Sequence, residues 1–340
     1  MSSDIFSGTK NPLTLYEPEL LQQLSRIALI QWDQRLIMST LVKPPPQWAQ
    51  TFGFSGTTTA TRTIFPISQA SGKFKVVTGD PVFEGMQEDC IPMEAVEHQL
   101  GHAVKMIDVM QGTLAYLNWT NIPTVHNVAE QHLVLDLIGE LLNNGENINC
   151  WDGKKFFAEN HPANKAKPRL GTYSNFQPTA TDPNSVGSII KEISAMRNVK
   201  DLNGKPIEIE PDTVLLPIAQ YDLVWSMLQM SLLGSRVGEV TPGGGSFTMS
   251  NPLLAHGLRV VKCNQLDGLD WYLLDSNLCK SSPPWVQLKY NAGVLERRFH
   301  DTNSPMFLKD GMIGVDVHLW YATSLAHPFA IRKIKGKTSS

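Results

Sequence analysis

Residues 311–333 read GMIGVDVHLWYATSLAHPFAIRK, and this stretch decides the fold of the chain. Large apolar side chains take every second position from Ile313 onward, and small or polar side chains take most of the positions between them. A period of two places alternate side chains on opposite faces of a strand, so we expect a half-buried strand here. After Ile331 the chain becomes basic and polar, and we expect that tail to bury nothing. The apolar positions are Ile313, Val315, Val317, Leu319 and Tyr321, and those between them are Gly314, Asp316, His318 and Trp320.

The size and composition are those of a globular protein. The chain has 340 residues, 42% of them hydrophobic, which suffices for one large domain or two medium ones. A formal net charge of −3 gives no global basic field, so only local patches can contact nucleic acid. No apolar run approaches the ~20 residues of a bilayer span, and no stretch has the features of a secretion signal. We therefore expect synthesis in the cytosol and no membrane partner.

Two segments have the periodicity of amphipathic helices. Residues 125–142 place apolar side chains four positions apart, and Asn143-Asn144-Gly145 then predicts a left-handed stop. This helix would be ~27 Å long at 1.5 Å per residue, long enough to be the spine of a domain. Residues 19–38 carry a second apolar stripe, and the polar residues before them predict an arm that is ordered only against something else. The four-residue repeat is Ala129, Leu133, Leu137 and Leu141.

Residues 52–93 are rich in glycine and threonine. Short runs with strand character, at 62–67 and 73–78, flank the turn signal Ala70-Ser71-Gly72, which is typical of a long hairpin. The segment has too few large side chains to form a core of its own. We therefore expect it to project from the body or to lie on a neighbouring subunit.

The remaining elements mix helices and strands. Asp182 and Pro183 open a short helix, and residues 211–217 form a buried strand that leads into another helix. Residues 94–117 fit the helix and strand patterns equally. Strands do not alternate regularly with helices, so the predicted class is α+β. The first helix would bury Ile189, Ile190, Ile193 and Met196. The second helix would bury Tyr221, Val224, Trp225, Leu228 and Leu232 and would end at Gly234. Further strands are expected at 258–262, 271–274 and 285–290.

Motifs for catalysis, cofactors or metals are missing from the sequence. There is no phosphate-binding loop and no nucleophile elbow, and the spacing of His98 and His102, which could share a helix face, is a weak zinc signal. We expect no catalytic residue, cofactor or metal. The cluster Glu296-Arg297-Arg298 is either a solvated strand end or a charge pair with another subunit, and Gly243-Gly244-Gly245 is a mobile loop. The four cysteines are scattered, which predicts reduced thiols packed as small apolar groups: Cys90, Cys150, Cys263 and Cys279.

A central motif carries a resemblance to a known family. Trp151-Asp152-Gly153, Phe156-Phe157, His161-Pro162 and Ser174-Asn175 resemble the Mu-like phage major head subunit family, in which Asp-Gly precedes an apolar-aromatic pair, then His-Pro and Ser-Asn. The strand from Gly314 to Trp320 is similar to the C-terminal end of that family. The stretch from Lys165 to Arg169 departs from the pattern, because it is basic where glycines are expected.

The resemblance implies the HK97-type capsid fold, an α+β architecture. It divides the chain into an N-terminal arm at residues 1–50, an extended hairpin loop at 51–93, and a peripheral domain at 94–207 with its spine helix at 125–142. An axial domain at 208–283 follows, and residues 284–340 return to the peripheral domain and form the C-terminal tail.

The resemblance also implies a function, that of a major capsid protein of a tailed bacteriophage. Copies of the chain would form the pentamers and hexamers of an icosahedral shell around viral DNA, which the shell would contact only non-specifically on its inner side. Portal proteins would be partners, with decoration or scaffolding proteins as further candidates. Assembly in the host cytoplasm would place the chain in the virion. The alternatives are an encapsulin-like bacterial compartment shell and a cytosolic hydrolase. Assembly contacts are expected at Lys73, Lys75, Gly243, Gly244, Gly245, Glu296, Arg297 and Arg298.

Overall fold

The fold is described from a computed structural model. It describes residues 49, 53–58, 60, 62–69, 87–110, 114–165, 167–200, 204–230, 232–235, 247–281, 285–290 and 296–337. The predicted arm at 1–50, apart from Ala49, and its helix at 19–38 lie outside this set. So do the predicted strand run at 73–78 and the glycine loop at 243–245.

Strands and helices alternate irregularly along the described chain, as expected for an α+β protein. The strands are β1 Gly53–Thr58, β2 Arg62–Gln69, β3 Gln87–Glu94, β4 Val96–Lys105, β5 His161–Pro162, β6 Thr172–Tyr173, β7 Phe176–Thr181, β8 Thr213–Pro217, β9 Leu232–Ser235, β10 Phe247–Ser250, β11 Arg259–Cys263, β12 Trp271–Leu274, β13 Trp285–Tyr290, β14 Glu296–His300, β15 Met312–Leu325 and β16 Ile331–Gly336. The α-helices are α1 Met106–Met110, α2 Leu114–Asn144, α3 Val186–Arg197, α4 Ile218–Gln229, α5 Ser276–Ser281 and α6 Pro305–Asp310. Short 3-10 turns lie at Pro168–Leu170, Pro252–His256 and Pro328–Ala330.

The first sheet is built around β15. This strand pairs antiparallel with β4 along one edge, and with β14 and then β13 along the other. β1 continues the sheet as a parallel neighbour of β13. Ile313 and Val315 of β15 pack with Met106, Ile122 and Phe307, which forms a core beneath this sheet.

The prediction that β15 is half-buried is wrong for its first half. Ile313, Val315 and Val317 are buried as expected, but Asp316 and His318 on the opposite face are also buried, with 7% and 4% of their surface exposed. Polar side chains from β4 and β14 meet them there, so this face is buried by hydrogen bonds rather than by apolar packing.

The second sheet has five strands in the order β11, β8, β12, β16, β7 and is covered on both faces. One face packs its side chains against α2 and the aromatic pair Phe156 and Phe157. The other face packs against α3 and α4. A strand buried on both faces carries apolar residues at successive positions, as β8 and β12 do. The first face contributes Leu215, Tyr272, Leu274 and Ile331, and the second contributes Val214, Leu216, Trp271, Leu273 and Ile334.

The basic tail after Ile331 is a buried strand, which contradicts the prediction that it buries nothing. β16 lies between β12 and β7 in the second sheet. Arg332 and Lys333 have only 4% and 2% of their surface exposed. They are tolerated inside because each has carboxylate partners, which the pattern of one segment cannot reveal.

The spine helix α2 includes the predicted residues 125–142 but begins earlier, at Leu114. It runs through Pro123, which the prediction placed before the helix. Proline removes one backbone donor, and the hydrogen bonds of the neighbouring turns keep the helix continuous. Gly145 ends α2 without a positive φ, so the predicted left-handed stop is wrong. The reason for glycine there is space: a Cβ at this position would stand 2.5 Å from the Phe157 ring.

Gly145→Ala is expected to lower the free energy of unfolding by about 1 to 3 kcal/mol, because the added methyl group forces the buried Phe157 ring to move. Urea unfolding of the unassembled chain measures this change. Gly187→Ala is the matched control, because Gly187 lies in α3 and its Cβ would meet only the Ser185 side chain, at 3.9 Å. A loss at Gly145 no larger than that at Gly187 would contradict the packing argument.

Within the segment predicted to form a hairpin, the run at 62–67 belongs to β2, which pairs antiparallel with β3 from Arg62 opposite Glu94 to Gln69 opposite Gln87. The partner of this run is therefore residues 87–94, and the prediction that the strands lie close to the turn at 70–72 is wrong. The base of the hairpin does not project: Ile91 and Met93 are buried and pack with Ala322 and Ala326 of the body. The contact of the hairpin with a neighbouring subunit stays a prediction.

The helix predicted after the strand at 211–217 ends earlier in the structure than in the prediction. β8 leads into α4 as expected, with Val224 and Leu228 buried, but Trp225 is 48% exposed. The helix ends at Gln229, and Leu232 belongs to β9, which pairs antiparallel with β10. The long amphipathic pattern therefore spans two elements.

The strands expected at 271–274 and 285–290 are present with those bounds, and β11 lies one residue beyond the predicted 258–262. Residues 94–117, which fit the helix and strand patterns equally in the sequence, contain β4 and continue into α1 and the start of α2. The second sheet combines β7 and β16 with β8, β11 and β12, and the division into peripheral and axial domains stays a prediction.

In the part of the chain that the structure describes, no helix combines the length and apolar character of a membrane span.

Candidate functional site

The central motif folds into a turn that holds a buried carboxylate beside an imidazole. An isolated bridge between Asn149 and Lys155 closes the turn, and Gly153 adopts φ 83, a conformation that favours glycine. Within this turn, Asp152 accepts a hydrogen bond from the Lys154 backbone N–H at 2.9 Å. Its other oxygen, Oδ2, lies 2.6 Å from His161 Nδ1, and both side chains are completely buried.

Asn175 completes this group, which we call the Asp152 centre (Asp152, His161 and Asn175). Its Oδ1 accepts the Ala158 backbone N–H at 2.9 Å and lies 3.1 Å from His161 Nε2. Its Nδ2 donates to the carbonyl oxygens of Phe156 and Pro328, at 2.7 and 3.1 Å. One amide therefore ties three distant loops together.

The electrostatics of the Asp152 centre favour an ionised carboxylate. Burial alone would raise the pKa of Asp152, but the hydrogen bond and the charge of His161 outweigh it, so the pKa lies below its ordinary value. Both ring nitrogens of His161 face oxygen atoms, and the ring stacks on Tyr173 with centroids 5.2 Å apart. A substrate cannot reach side chains with no exposed surface, so this arrangement holds the loops in place.

A second buried pair joins β16 to α3. Arg332 Nε donates to Glu192 Oε2 at 2.7 Å, and its Nη1 donates to the Ser174 carbonyl oxygen at 2.7 Å. The side chains of Arg332 and Glu192 are 5% and 1% exposed. Since Ser174 precedes Asn175, the Ser-Asn motif connects this pair to the Asp152 centre.

Four charged groups form a ring beside the end of α2. Lys333 Nζ lies 2.8 Å from Glu146 and 3.3 Å from Asp270, and Lys335 Nζ contacts the same two carboxylates. Burial raises the pKa of Glu146, yet hydrogen bonds from both lysines bring it below its ordinary value. Burial alone would lower the pKa of Lys335, but hydrogen bonds to the two carboxylates raise it above its ordinary value. The ring fixes β16 to the spine helix.

A third polar group lies on β15 and its neighbours. Asp316 accepts hydrogen bonds from His318 at 2.7 Å, His300 at 2.9 Å and Gln99 at 3.2 Å. Hydrogen bonds to Asp316 and Glu97 raise the pKa of His318. Burial alone would raise the pKa of Asp316, but its histidine partners bring it below the ordinary value. This group connects β4, β14 and β15 across the first sheet.

The histidine and cysteine expectations have mixed outcomes. His98 and His102 lie on β4 rather than on a helix, and His102 Nδ1 contacts His126 Nε2 at 2.8 Å. Among the described residues, no group of three or more His, Cys, Asp or Glu is arranged to hold a metal ion. Burial lowers the pKa of His327 to about 4. Cys150, Cys263 and Cys279 are free and buried, as expected, but Cys90 on β3 is exposed.

The predicted assembly residues are only partly within the described structure. Glu296, Arg297 and Arg298 form β14, where they pair with His318, Val317 and Asp316 of β15. Arg298 is exposed, and its charge acts against protonation of His318. Whether this cluster contacts another subunit stays a prediction. Lys73, Lys75, Gly243, Gly244 and Gly245 lie outside the described residues.

The partners of the buried basic residues carry no signal in the sequence. Glu146, Glu192 and Asp270 look like ordinary surface carboxylates in the sequence, and only the tertiary fold brings them to Arg332 and Lys333. The Asp152 centre does carry a signal in the sequence, because all three of its members lie in the motif at 151–175.

Comparison with sequence families supports the reading of this motif. The family described as "Phage capsid protein" matches residues 131–334, which is more than half of the chain. The family described as "Mu-like prophage major head subunit gpT" matches residues 72–186, a range that includes the Asp152 centre. No curated protein has significant sequence similarity to this chain.

Two solved phage structures agree with this chain at the level of the fold, and a third is similar more weakly. A chain of Microbacterium phage Oxtober96 is 12% identical with a TM-score of 0.50, covering 87% of this chain and 94% of that one. A chain of Gordonia phage Cozz is 10% identical with a TM-score of 0.50, covering 87% and 89%. A chain of the bacteriophage JBD30 capsid is 11% identical with a TM-score of 0.45; 86% of this chain matches it and spans 66% of its length.

The fold inferred from the resemblance is therefore confirmed as the α+β, HK97-type fold of phage capsid proteins. The encapsulin-like shell and the cytosolic hydrolase are not favoured by these matches. Because the family match covers residues 131–334, more than half of the chain, the chain belongs to the phage capsid protein family.

Proposed function

We propose that this capsid protein associates with copies of itself into pentamers and hexamers, which close an icosahedral head around viral DNA. The observation that carries the proposal is the family match over residues 131–334, which includes the C-terminal half of α2, the strands β7, β8, β11 and β12, and most of β16. The chain acts by assembly and has no catalysis of its own. Portal proteins, and decoration or scaffolding proteins, join the shell in the host cytoplasm.

Exposed apolar side chains supply candidate contact surfaces for this assembly. On α4, Ile218 is 62% exposed and Leu223 is 55% exposed, and Met230 directly after the helix is 52% exposed. On the hairpin, Ile64 is 62% exposed. Large apolar groups in such positions are typical of protein interfaces, so α4 and the hairpin are where neighbouring copies would meet.

Purified protein from an expression host is expected to sediment as closed particles of megadalton mass that contain many copies of the chain. Negative-stain microscopy of the same fractions should show icosahedral order. A discrete dimer or tetramer as the sole native form would contradict the proposal.

A variant sharpens this test. Leu223→Asp removes an exposed apolar group and should leave the thermal unfolding of the unassembled chain nearly unchanged, while it lowers the yield of particles. Ser194→Asp, which adds the same charge to the exposed face of α3, is the control. Equal particle yields for the two variants would exclude α4 as a contact surface without changing the assembly proposal.

A further inference from the structure

One surface of the chain carries a cluster of basic side chains that the assembly proposal does not use. β5 and β6 form a short hairpin whose connecting loop, residues 163–171, presents Lys165, Lys167 and Arg169, all exposed. We call these three residues the basic loop. The chain as a whole has a net charge of −3, so the positive charge is local.

The basic loop is held rigidly at its base. His161 at the start of the hairpin belongs to the Asp152 centre, which is completely buried. Ala163 N–H donates to the Gly171 carbonyl oxygen at 3.0 Å, and Asn164 accepts the Lys167 N–H at 3.1 Å. The loop therefore presents its cations from a fixed platform.

Neighbouring segments add further positive charge. Lys165 Nζ donates to the Trp151 carbonyl oxygen at 2.9 Å, which brings the basic loop beside the turn that carries the exposed Lys154 and Lys155. On the other side, Lys200 Nζ lies 2.9 Å from the position that a Cβ on Gly171 would occupy. Lys154 and Lys155 thus follow a residue that Lys165 contacts, and Lys200 reaches the end of the basic loop.

Little negative charge balances this surface. Residues 151–171 contain two carboxylates, Asp152, which is buried against His161, and Glu159, which is exposed. Some cations elsewhere in the described chain are paired with carboxylates, such as Arg197 with Glu210 and Arg332 with Glu192. Like charges close together repel each other, and a bound polyanion relieves that repulsion by neutralising them. The counterions condensed on the polyanion are released at the same time, which favours binding.

We propose that the basic loop and its flanking lysines bind the phosphate backbone of double-stranded DNA, and that this surface is the chain's contact with the packaged genome. This inference rests on the proposed function, because only a shell that encloses DNA brings the two together. Exposed lysine and arginine contact phosphates without reading base sequence, so the binding is non-specific and strongly dependent on salt.

The test measures binding of a fluorescent 30-base-pair duplex to the unassembled full-length chain at several salt concentrations. Loss of one phosphate contact lowers the slope of log K against log salt by about 0.9. The triple variant Lys165→Gln, Lys167→Gln, Arg169→Gln should lower the slope by about 2 to 3 and the affinity at low salt at least about tenfold. The control Lys191→Gln, Lys262→Gln, Lys309→Gln removes three exposed cations elsewhere and should change neither.

Three results would overturn the DNA assignment. The first is equal slopes for the two triple variants, or no duplex binding by the natural chain at low salt. The second is binding of poly-glutamate as tight as that of DNA, which would assign the surface to acidic protein. The third is loss of particles in the loop variant with DNA affinity unchanged, which would make the loop a subunit contact. Failure of the natural chain to form particles would instead count against the proposed function.

Discussion

Arg332→Met is expected to lower the free energy of unfolding by about 3 to 5 kcal/mol, because it leaves a buried carboxylate without its partner. Glu192 is 1% exposed and receives the Arg332 Nε–H at 2.7 Å, so water cannot replace the lost guanidinium. The substitution also removes the donor to the Ser174 carbonyl oxygen. Urea unfolding of the unassembled chain gives the free energy, provided that the transition is two-state.

Two controls separate the loss of the pair from a general effect of removing arginine. The double variant Arg332→Met, Glu192→Leu removes both charges and should recover most of the stability, since apolar residues of similar volume often replace buried pairs well. Arg197→Met breaks an exposed pair of similar length, 2.6 Å, and should cost less than about 1 kcal/mol. Equal losses for Arg332→Met and Arg197→Met would show that burial does not control the cost.

Asp152→Ala is expected to cost about 3 kcal/mol or more, because it leaves the buried His161 ring without its carboxylate and the Lys154 N–H without its acceptor. The turn at 150–157 and the hairpin that follows it should loosen together. Amide exchange at Ala158, whose N–H bonds to Asn175, would then become faster. Asp152→Asn keeps an acceptor at the same place and should cost less. Unchanged exchange at Ala158 in the alanine variant would contradict the proposed link.

The contribution of Asp152 also has a defined pH dependence. Its pKa in the folded chain is lower than its ordinary value of 3.8, so the unfolded chain binds its proton more tightly. The stability that Asp152 provides is therefore fully present above about pH 4 to 5 and is lost as the pH falls through the folded pKa. The difference in unfolding free energy between the natural chain and Asp152→Ala should shrink as the pH falls below about 4, where Asp152 takes up its proton.

The elements predicted best from the sequence are those decided by local pattern. β12 and β13 have their predicted bounds, because aromatic and β-branched residues between turn signals favour a strand whatever the partner. The core of α2 was predicted from its four-residue repeat. The start of α2 was not predicted, because Pro123 resembles a helix boundary in the sequence but is tolerated within the helix.

The candidate site could be predicted only where its residues lie close together in the sequence. Asp152, His161 and Asn175 fall within one motif, so the resemblance found them. Glu192 and Arg332 are 140 residues apart, and a basic strand such as β16 looks like a solvated tail until its carboxylate partners are placed beside it. The polar face of β15 was misread for the same reason, since alternation does not say what covers each face.

Both sheets depend on a single late segment, and this has a consequence for how the chain folds. β15 holds β4, β13 and β14 together, and β16 joins β7 to β12, so residues 312–336 complete the two sheets. This segment leaves the ribosome after every strand with which it pairs. Until then, β4 and β7 present unpaired edges that invite association with other chains. Such long-range pairings also make folding slow. We therefore expect nascent chains to be most prone to aggregation just before this segment emerges, and to benefit from chaperones at that stage.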